Sequence, residues 1–342
     1  MKRTGNLFPR ILDRDNLRAA FARAFRGRRD REDARQFQDR LEENLAEMGE
    51  GLRQGTYPVG QYRQFMIRDP KERIITAPCF AERVLHHAVM NICEPVFDRG
   101  LIHDTYACRV GGGRDRALMR AMEFSQRFPY FLKLDIRKYF DSICHATLLT
   151  LLAKRFKDAE LLALFRRIVE SYRSATGHGL PIGALTSQHF ANFYLGWFDR
   201  WVKEEKRFRG YVRYMDDMAI WAETASDLRE LLAAARGRLT ERLRLTFKDS
   251  PYINRSARGL DFLGSRVFPS HITLNRASRS RFRTQVKRLH RLHEAGEATE
   301  GDLQHRLGAL VAWTRSPMDC NWKFRTRVLS RWPVSGREAP TG

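Results

Sequence analysis

The sequence is short of cysteine, of acidic side chains and of long apolar runs. Its five cysteines show neither Cys-x-x-Cys spacing nor a pairing rhythm, which is typical of reduced thiols in a cytosolic protein. The N-terminus is polar and basic, so it lacks the apolar segment of a signal peptide, and no uncharged apolar run is long enough to cross a bilayer. We therefore expect a soluble, cytoplasmic protein that has no membrane partner.

Acidic residues are few beside the basic ones. The chain has 40 Asp and Glu against 62 Lys and Arg, which gives a net charge of +22. An excess of this size predicts a polyanionic partner, and nucleic acid is the usual one. A surface made basic by genome composition alone is the alternative. Because 43% of the 342 residues are hydrophobic, the chain is expected to fold, as one large multi-lobed domain or as two or three smaller ones.

Helices are predicted where apolar residues recur every three or four positions. This spacing fills residues 1–55 and extends over residues 146–172 as one long helical stretch. Another helix precedes Pro95, which is expected to end it. Beyond residue 265 the composition becomes more basic, and we expect a separate helical lobe there.

Short strands are predicted between the helical segments. Residues 130–136 form an apolar run, and residues 209–222 are typical of two strands joined by a tight turn. Two more short strands are expected around Lys248 and around residues 262–264. Because strands and helices do not alternate with a regular βαβ rhythm, the class predicted is α+β.

Three carboxylates stand at the ends or turns of these strands. Asp135 closes the first apolar run, and Asp216 and Asp217 occupy the turn of the hairpin. Nucleotidyl transfer uses two divalent cations about 3.5–4 Å apart, and Mg²⁺ binds through one or two carboxylates plus substrate phosphates. Adjacent acids in an apolar hairpin also repel each other unless cations screen them. The pattern predicts a metal site, and ordinary turn capping by Asp side chains is the alternative.

The order of these elements resembles the fingers, palm and thumb of reverse transcriptases from about residue 55 onward. The motifs that carry the resemblance are a fingers strand at 71–75, a first palm motif at 134–141, a Tyr-x-Asp-Asp box at 214–217, and two later palm motifs at 245–248 and 262–264. Each motif is weak alone, but their shared order is specific.

This resemblance implies an α+β right-hand polymerase. Its palm would be an antiparallel sheet backed by helices, and its thumb would be helical. The implied division is a basic helical N-terminal extension at 1–55, fingers at 56–134, a palm at 135–268 with fingers-side helices near 146–178, and a basic helical thumb at 269–342.

The resemblance also implies the catalytic groups. Asp135, Asp216 and Asp217 would hold two Mg²⁺ ions, with Mn²⁺ as an alternative, and the backbone carbonyl of Ile136 would help to bind the second ion. Lys248 would protonate the pyrophosphate leaving group. A plain solvated lysine is the alternative for Lys248.

Four further residues would bind the incoming dNTP. Lys71 and Arg73 would contact the triphosphate, Phe140 would lie against the sugar where a ribose 2′-hydroxyl is excluded, and Gln188 would lie near the base. The alternatives are an ordinary exposed basic residue for Arg73 and a core aromatic for Phe140.

Residues 180–188 distinguish the type of reverse transcriptase. Most members carry Gln-Gly, three residues, then Ser-Pro, whereas here Ile182 replaces the Gln and Gln188 replaces the Pro. This form resembles the reverse transcriptases of diversity-generating retroelements. In that case Ile182, Gly183 and Ser187 would contact the template or the nascent base pair, and mere turn packing is the alternative for Ile182.

That resemblance implies a polymerase that copies a template-repeat RNA into cDNA with errors opposite adenines, which diversifies a variable gene. The implied partners are template RNA, the RNA–DNA hybrid, dNTPs and a small basic pentameric accessory protein. Three alternatives stay open. One is another bacterial reverse transcriptase, retron-like or defence-associated, and another is a nucleic-acid-binding protein that keeps the polymerase fold without activity. The third is a polymerase that extends primers without a template.

Overall fold

The computed structural model describes residues 3–68, 72–248, 251–315, 317 and 320–332. The chain divides into two compact units, each built from segments that are separate in sequence. The first unit contains Met1–Val110, Asp135–Arg207 and Leu231–Ser250, and the second contains Gly111–Leu134, Phe208–Glu230 and Pro251–Gly342.

The described helices are, in chain order, α1 (Phe8–Ile11), α2 (Arg14–Phe25), α3 (Glu32–Asp39), α4 (Leu41–Gln54), α5 (Phe80–Asp98), α6 (Arg114–Arg127), α7 (Tyr139–Ser142), α8 (His145–Ala153), α9 (Ala159–Glu170), α10 (Leu185–Arg200), α11 (Ala225–Leu243), α12 (Arg276–Glu294), α13 (Glu300–Thr314) and α14 (Trp322–Leu329). The described strands are β1 (Tyr62–Arg68), β2 (Glu72–Pro78), β3 (Tyr130–Leu134), β4 (Gly210–Tyr214), β5 (Asp217–Ala222), β6 (Tyr252–Arg255), β7 (Leu260–Phe262), β8 (Ser265–Val267) and β9 (Ile272–Leu274). Within the described residues, no helix combines the length and apolar character needed to cross a lipid bilayer.

Buried aromatic rings hold the first unit together. The helix α5 packs against α2 and α10. The ring of Phe97 on α5 lies 5.0 Å from that of Phe156 and 5.9 Å from that of Phe190, and all three side chains are buried. Edge-on and tilted aromatic contacts of this kind stabilise a core beyond the area they bury.

The hairpin of β1 and β2 also belongs to the first unit. Its strands are antiparallel, with Phe65 opposite Ile75 and Ile67 opposite Arg73. Large apolar side chains on it are exposed, since Met66 is 53% and Ile74 is 57% accessible. Single exposed apolar residues are normal on a protein surface, whereas here several of them share one hairpin.

A four-stranded antiparallel sheet organises the second unit. Its strand order is β4-β5-β3-β6, and Leu134 at the end of β3 pairs with Met218 in β5. The buried indole of Trp221 donates a hydrogen bond of 3.1 Å to Ser125 Oγ on α6, which fixes that helix against the sheet. The expected α+β class is therefore confirmed.

The later part of the second unit combines a small sheet with helices. Strands β7, β8 and β9 form a three-stranded antiparallel sheet. Helices α12 to α14 then pack around Phe282, Val286 and Val328. The short strand expected around residues 262–264 is present as β7, which ends at Phe262. Residues 263 and 264 form the turn into β8. Beyond residue 265, however, two strands precede the basic helices.

Two local expectations were wrong. The helix α5 continues through Pro95 to Asp98, because proline removes only one helical hydrogen bond and the buried side chains of Val96 and Phe97 pack the last turn into the core. Lys248 lies outside the described strands, and its neighbour Phe247 forms an isolated bridge with Ile136.

The stretch 146–172 is not one helix but two, α8 and α9. The carboxylate of Asp158 between them accepts the backbone N–H groups of Asn6, Leu7 and Phe8 at 2.6–2.9 Å. Because these partners lie 150–152 residues away in the sequence, helical periodicity could not reveal the break.

Candidate active site

The turn between β4 and β5 presents two adjacent carboxylates, Asp216 and Asp217. Tyr214 pairs with Asp217 across the turn, and Met215 adopts a left-handed conformation with φ of 55°. The guanidinium of Arg213, which is fully buried, donates a hydrogen bond of 3.0 Å to the carbonyl of Met215. This buried donor holds a strained turn in place and keeps both carboxylates at the edge of the sheet.

Lys133 on β3 forms an ion pair with Asp217. The side chain of Lys133 is 13% exposed and that of Asp217 is 30% exposed, so the pair is largely shielded from water. The ammonium group also lies 5.3 Å from the centre of the Phe262 ring, in a cation–π contact. The carboxylate of Asp217 therefore has a fixed positive neighbour within the second unit.

In the first unit, Asp135 is adjacent to Lys248. The Lys248 ammonium lies 3.6 Å from the Asp135 carboxylate, and both side chains are about half exposed. The backbone N–H of Lys248 also donates to the carbonyl of Asp135 at 2.8 Å, and that of Arg137 donates to Thr246 at 3.0 Å. These two bonds flank the bridge at Ile136 and fix Lys248 beside Asp135.

The half-buried Phe140 follows on the same segment. Its ring meets that of Tyr139 edge-on, with centroids 5.8 Å apart. Its carbonyl accepts the N–H of Leu180 at 2.9 Å, which brings it to the turn that contains Ile182 and Gly183. Two of the segments singled out from sequence are thus adjacent in the first unit.

That turn lies against β2. The carbonyl of Ile182 accepts the N–H of Thr76 at 2.9 Å. Gly183 has φ of 126°, and a Cβ there would lie 3.1 Å from Ile75 Cγ2 and from the carbonyl of Thr76. Glycine is therefore required by both its conformation and this close approach.

For the two basic residues expected near the triphosphate, the structure describes only the backbone of Arg73. Lys71 lies outside the described residues. Arg73 is described in its backbone, where it lies in β2 opposite Ile67.

Gln188 lies one turn into α10. Its side-chain oxygen is 3.6 Å from the thiol of Cys108, which can donate a weak hydrogen bond, and the preceding Ser187 is buried. Gln188 also lines a cavity of about 580 Å³ together with His87 and His189. Burial lowers the pKa of each of these two imidazoles to about 4. Neither Phe140 nor Ile182 is among the described residues that line this cavity.

The profile of the family described as Reverse transcriptase (RNA-dependent DNA polymerase) matches residues 68–265, more than half of the chain. The chain belongs to the reverse transcriptase family. The matched segment contains every motif residue described above from Asp135 to Lys248.

Two curated relatives of this reverse transcriptase come from introns. Nuclear intron maturase 4, mitochondrial, of Arabidopsis thaliana is 26% identical over 160 residues, which cover 44% of this chain and 20% of that protein. Group II intron-encoded protein LtrA of Lactococcus lactis subsp. cremoris is 25% identical over 174 residues, covering 48% of this chain and 29% of that protein. The matched part of the chain therefore spans less than a third of either relative.

A solved structure shares the fold of this reverse transcriptase. The apo telomerase of Candida tropicalis superposes with a TM-score of 0.50 at 10% identity, and the match covers 78% of this chain and 60% of the telomerase. Identity this low shows a common fold and carries no further argument. The expected right-hand polymerase fold is confirmed.

Reverse transcriptase domains generally use divalent metal ions such as Mg²⁺. Among the residues that the structure describes, no three His, Cys, Asp or Glu side chains are grouped so that they could hold one ion. The ammonium groups of Lys133 and Lys248 instead neutralise Asp217 and Asp135. Carboxylate and carbonyl oxygens are the ligands that hard cations prefer, so the carboxylates of Asp135, Asp216 and Asp217 fit Mg²⁺ by their chemistry.

Sequence reasoning missed Lys133 and Arg213. One signal for Lys133 was present, because it stands two positions before Asp135 and alternate residues of a strand point to the same face. For the buried Arg213 the local pattern offered no such signal, since a basic residue in a hairpin is usually exposed.

Proposed function

We propose that this chain is an RNA-directed DNA polymerase whose metal site is formed by Asp135, Asp216 and Asp217. The observation that carries the proposal is the register of β3 against β5. Leu134 pairs with Met218; Asp135 directly follows Leu134, and Asp217 directly precedes Met218. The carboxylates thus belong to the ends of two neighbouring strands, which is the rigid support that a catalytic metal site requires.

The chain's own groups have distinct parts in this proposal. Divalent cations, when bound, would activate the attacking 3′-oxygen and stabilise the leaving group. The three carboxylates would hold them, with the carbonyl of Ile136 as a further oxygen donor. Lys248 lies beside Asp135 and is half exposed, so its ammonium could give a proton to the departing pyrophosphate.

The incoming dNTP would lie against the first unit. Lys71 and Arg73 would contact its triphosphate, and the half-buried ring of Phe140 would lie against the sugar and exclude a 2′-hydroxyl. Gln188 would contact the base from α10. The hydrogen bond between Leu180 and Phe140 supports this grouping, because it links the aromatic residue to the turn before α10.

Template RNA and the RNA–DNA hybrid are the proposed polyanionic partners. The net charge of +22 supports them, as does α12, whose exposed face carries Arg283, Lys287 and Arg291 at four-residue spacing. A hybrid of A-like form is recognised mainly by shape and phosphate contacts. We assign this role to a thumb formed by residues 269–342. In the same proposal, residues 56–134 form the fingers, 135–268 the palm and 1–55 an N-terminal extension.

We further propose that the enzyme is of the diversity-generating type, error-prone at template adenines, and that it works with a small basic pentameric accessory protein. The motif formed by Ile182, Gly183, Ser187 and Gln188 supports this subtype. An apolar side chain at position 182 removes an amide that could discriminate among bases by hydrogen bonding. Because Gly183 packs closely against β2, the neighbouring side chain of Ile182 would be held in one position.

A second candidate is an intron-type reverse transcriptase. The similarity to Group II intron-encoded protein LtrA favours it, because that relative matches 174 residues of this chain. Such an enzyme would share the carboxylate site and differ in its error spectrum.

Primer extension on an RNA template with Mg²⁺ and dNTPs tests the polymerase. Asp216→Ala should reduce synthesis by well over about a hundredfold, since even the outer partners of a metal site contribute 10–100-fold. The matched control is Asp261→Ala, which removes an exposed carboxylate of β7 and should leave synthesis unchanged. Equal loss in both variants, or none in either, would contradict the assignment.

Sequencing of the products tests the subtype. Errors concentrated opposite adenine, and reduced by Ile182→Gln, would support the diversity-generating type. An even, low error rate in both proteins would favour the intron-type candidate instead.

A further inference from the structure

A second cavity of the first unit lies where α8 ends, beside the C-terminal part of α10. It encloses about 560 Å³, within the range of roughly 300–1,000 Å³ for small-molecule sites. We call it the α8–α10 cavity and define it by Arg3, Lys154, Arg155, Phe193, Trp197 and Arg200. In α10, Trp197 is nine residues beyond Gln188, which places it about 13–14 Å further along the helix.

The charge of this cavity has one sign. Four of its ten lining residues are Arg or Lys, and none of the described residues that line it carries a carboxylate. Burial, then the neighbouring guanidinium groups of Arg99 and Arg200, lower the pKa of Arg155. Positive side chains held this close together repel one another, and a bound anion would relieve that repulsion.

Backbone carbonyls hold two of these guanidinium groups in fixed positions. Arg3 donates twice to the carbonyl of Phe156, at 2.9 and 3.1 Å, and Arg155 donates twice to that of Val96, at 2.9 and 3.2 Å. A guanidinium carries five N–H donors, so two such bonds leave it able to bind a phosphate as well. Neither contact neutralises the positive charge.

Aromatic rings form the apolar part of the same cavity. The Arg238 guanidinium covers the indole of Trp197 at 4.7 Å from its centre, and Arg238 does not line the cavity. The ring of Phe193 is held edge-on against Phe97, with centroids 5.4 Å apart. Fixed aromatic rings beside cationic groups are the combination with which proteins bind unpaired bases and their phosphates.

We propose that the α8–α10 cavity binds an unpaired nucleotide of single-stranded nucleic acid, with the base against Trp197 and Phe193 and the flanking phosphates on Lys154 and the arginines. This site is additional to the catalytic one and does not depend on the polymerase proposal. It would retain a single strand on the enzyme while an RNA–DNA hybrid is bound elsewhere on the chain.

Binding of a labelled hexaribonucleotide to the full chain, measured by fluorescence anisotropy, tests the site. The protein is first saturated with an unlabelled primer–template hybrid, so that the hexamer reports only sites that the hybrid leaves open. Trp197→Ala should weaken this binding by about fivefold or more, as expected for the loss of one stacked base, and Trp197→Phe should restore most of it. Lys154→Ala, at an exposed position, should lower the salt dependence of log K by about 0.7.

Controls separate this site from the catalytic one. Arg236→Ala removes an exposed charge of α11 in the same unit and should leave hexamer binding unchanged. The same measurements in an Asp216→Ala background should give the same result, whether or not the chain has polymerase activity. A deoxyribonucleotide hexamer shows whether RNA or DNA is preferred. No binding to the saturated protein, or equal binding by the wild type, Trp197→Ala and Lys154→Ala, would overturn the proposal.

Discussion

Lys133 and Asp217 form an ion pair on neighbouring strands of the four-stranded sheet, and both side chains are largely shielded from water. A lysine in this position gives Asp217 a counter-charge while no cation is present. The ion pair thus holds the carboxylate at the strand end where a metal ligand is expected. Lys133 is therefore a positioning residue for the proposed metal site.

Replacing this lysine should alter both stability and the response to Mg²⁺. Lys133→Met leaves Asp217 without its partner, at a cost of about 1–3 kcal/mol in the free energy of unfolding. Because the competing cation is gone, added Mg²⁺ should raise the Tm of the variant more than that of the wild type. Thermal unfolding with and without Mg²⁺ measures this, with Lys133→Arg and the exposed Lys287→Met as controls. The same Mg²⁺ response in all four proteins would argue against a cation site at Asp217.

A side chain at position 183 should displace the turn that precedes α10. In Gly183→Ala the new Cβ would lie 3.1 Å from Ile75 Cγ2 and from the Thr76 carbonyl. We expect a loss of about 1–3 kcal/mol in stability and a higher KM for dNTPs, because the turn and β2 must move apart. Gly113→Ala is the matched control, since Gly113 has a φ of 104°, also beyond the left-handed helical region, but no atom within 4 Å of the added Cβ. If both variants behave alike, backbone strain rather than the contact with β2 is responsible.

The buried His189 should make the fold sensitive to acid. Burial lowers its pKa to about 4 from the ordinary histidine value of 6.5, so below pH 6.5 the unfolded chain binds a proton that the folded chain excludes. The stability contribution is full above pH 6.5 and is lost as the pH falls from 6.5 towards 4. Between pH 6.5 and 5 this amounts to about 2 kcal/mol.

His189→Gln should therefore flatten the dependence of Tm on pH between 7 and 5, whereas His305→Gln, at an exposed position, should not. Chemical denaturation at each pH gives the same quantity as a free energy. An unchanged pH profile for His189→Gln would show that other buried groups govern the acid sensitivity.

The basic face of α12 should contribute to binding through phosphates. Replacing Arg283, Lys287 and Arg291 with Ala should lower the slope of log K against log salt for an RNA–DNA hybrid by about two to three, since each phosphate contact contributes about 0.9. Filter binding over a series of salt concentrations measures the slope.

The control for this triple variant removes three exposed arginines of α11, Arg229, Arg236 and Arg242. It changes the net charge by the same amount without touching α12. Equal losses of slope in the two triple variants would mean that overall charge, not the face of α12, determines the affinity.

The motifs could be read from sequence because each is local. Asp135 at a strand end, the pair Asp216 and Asp217 in a turn, and the glycine at 183 need only neighbouring residues for their meaning, and their order sufficed for the family. The strands at 130–136 and 209–222 were also predictable, since alternation and turn residues are contained within each segment.

What failed depended on contacts between distant parts of the chain. The break between α8 and α9 comes with Asp158, whose partners lie about 150 residues away. Likewise, Arg213 is fully buried although its sequence context is that of an exposed strand residue. Periodicity in the sequence indicates which face of a helix or strand is apolar. It does not indicate which distant polar group will form hydrogen bonds with that element.

The sequence by itself determined the family and the α+β class, and it contained the carboxylates of the proposed metal site and the net charge from which a polyanionic partner is proposed, because these follow from residue type, spacing and charge. Only the tertiary structure decided that Lys133 neutralises Asp217, that Gly183 lies against β2, and that Arg3, Arg155 and Trp197 line one cavity. Those relationships join residues far apart in the chain, and burial and close packing, which no local pattern records, bring them together.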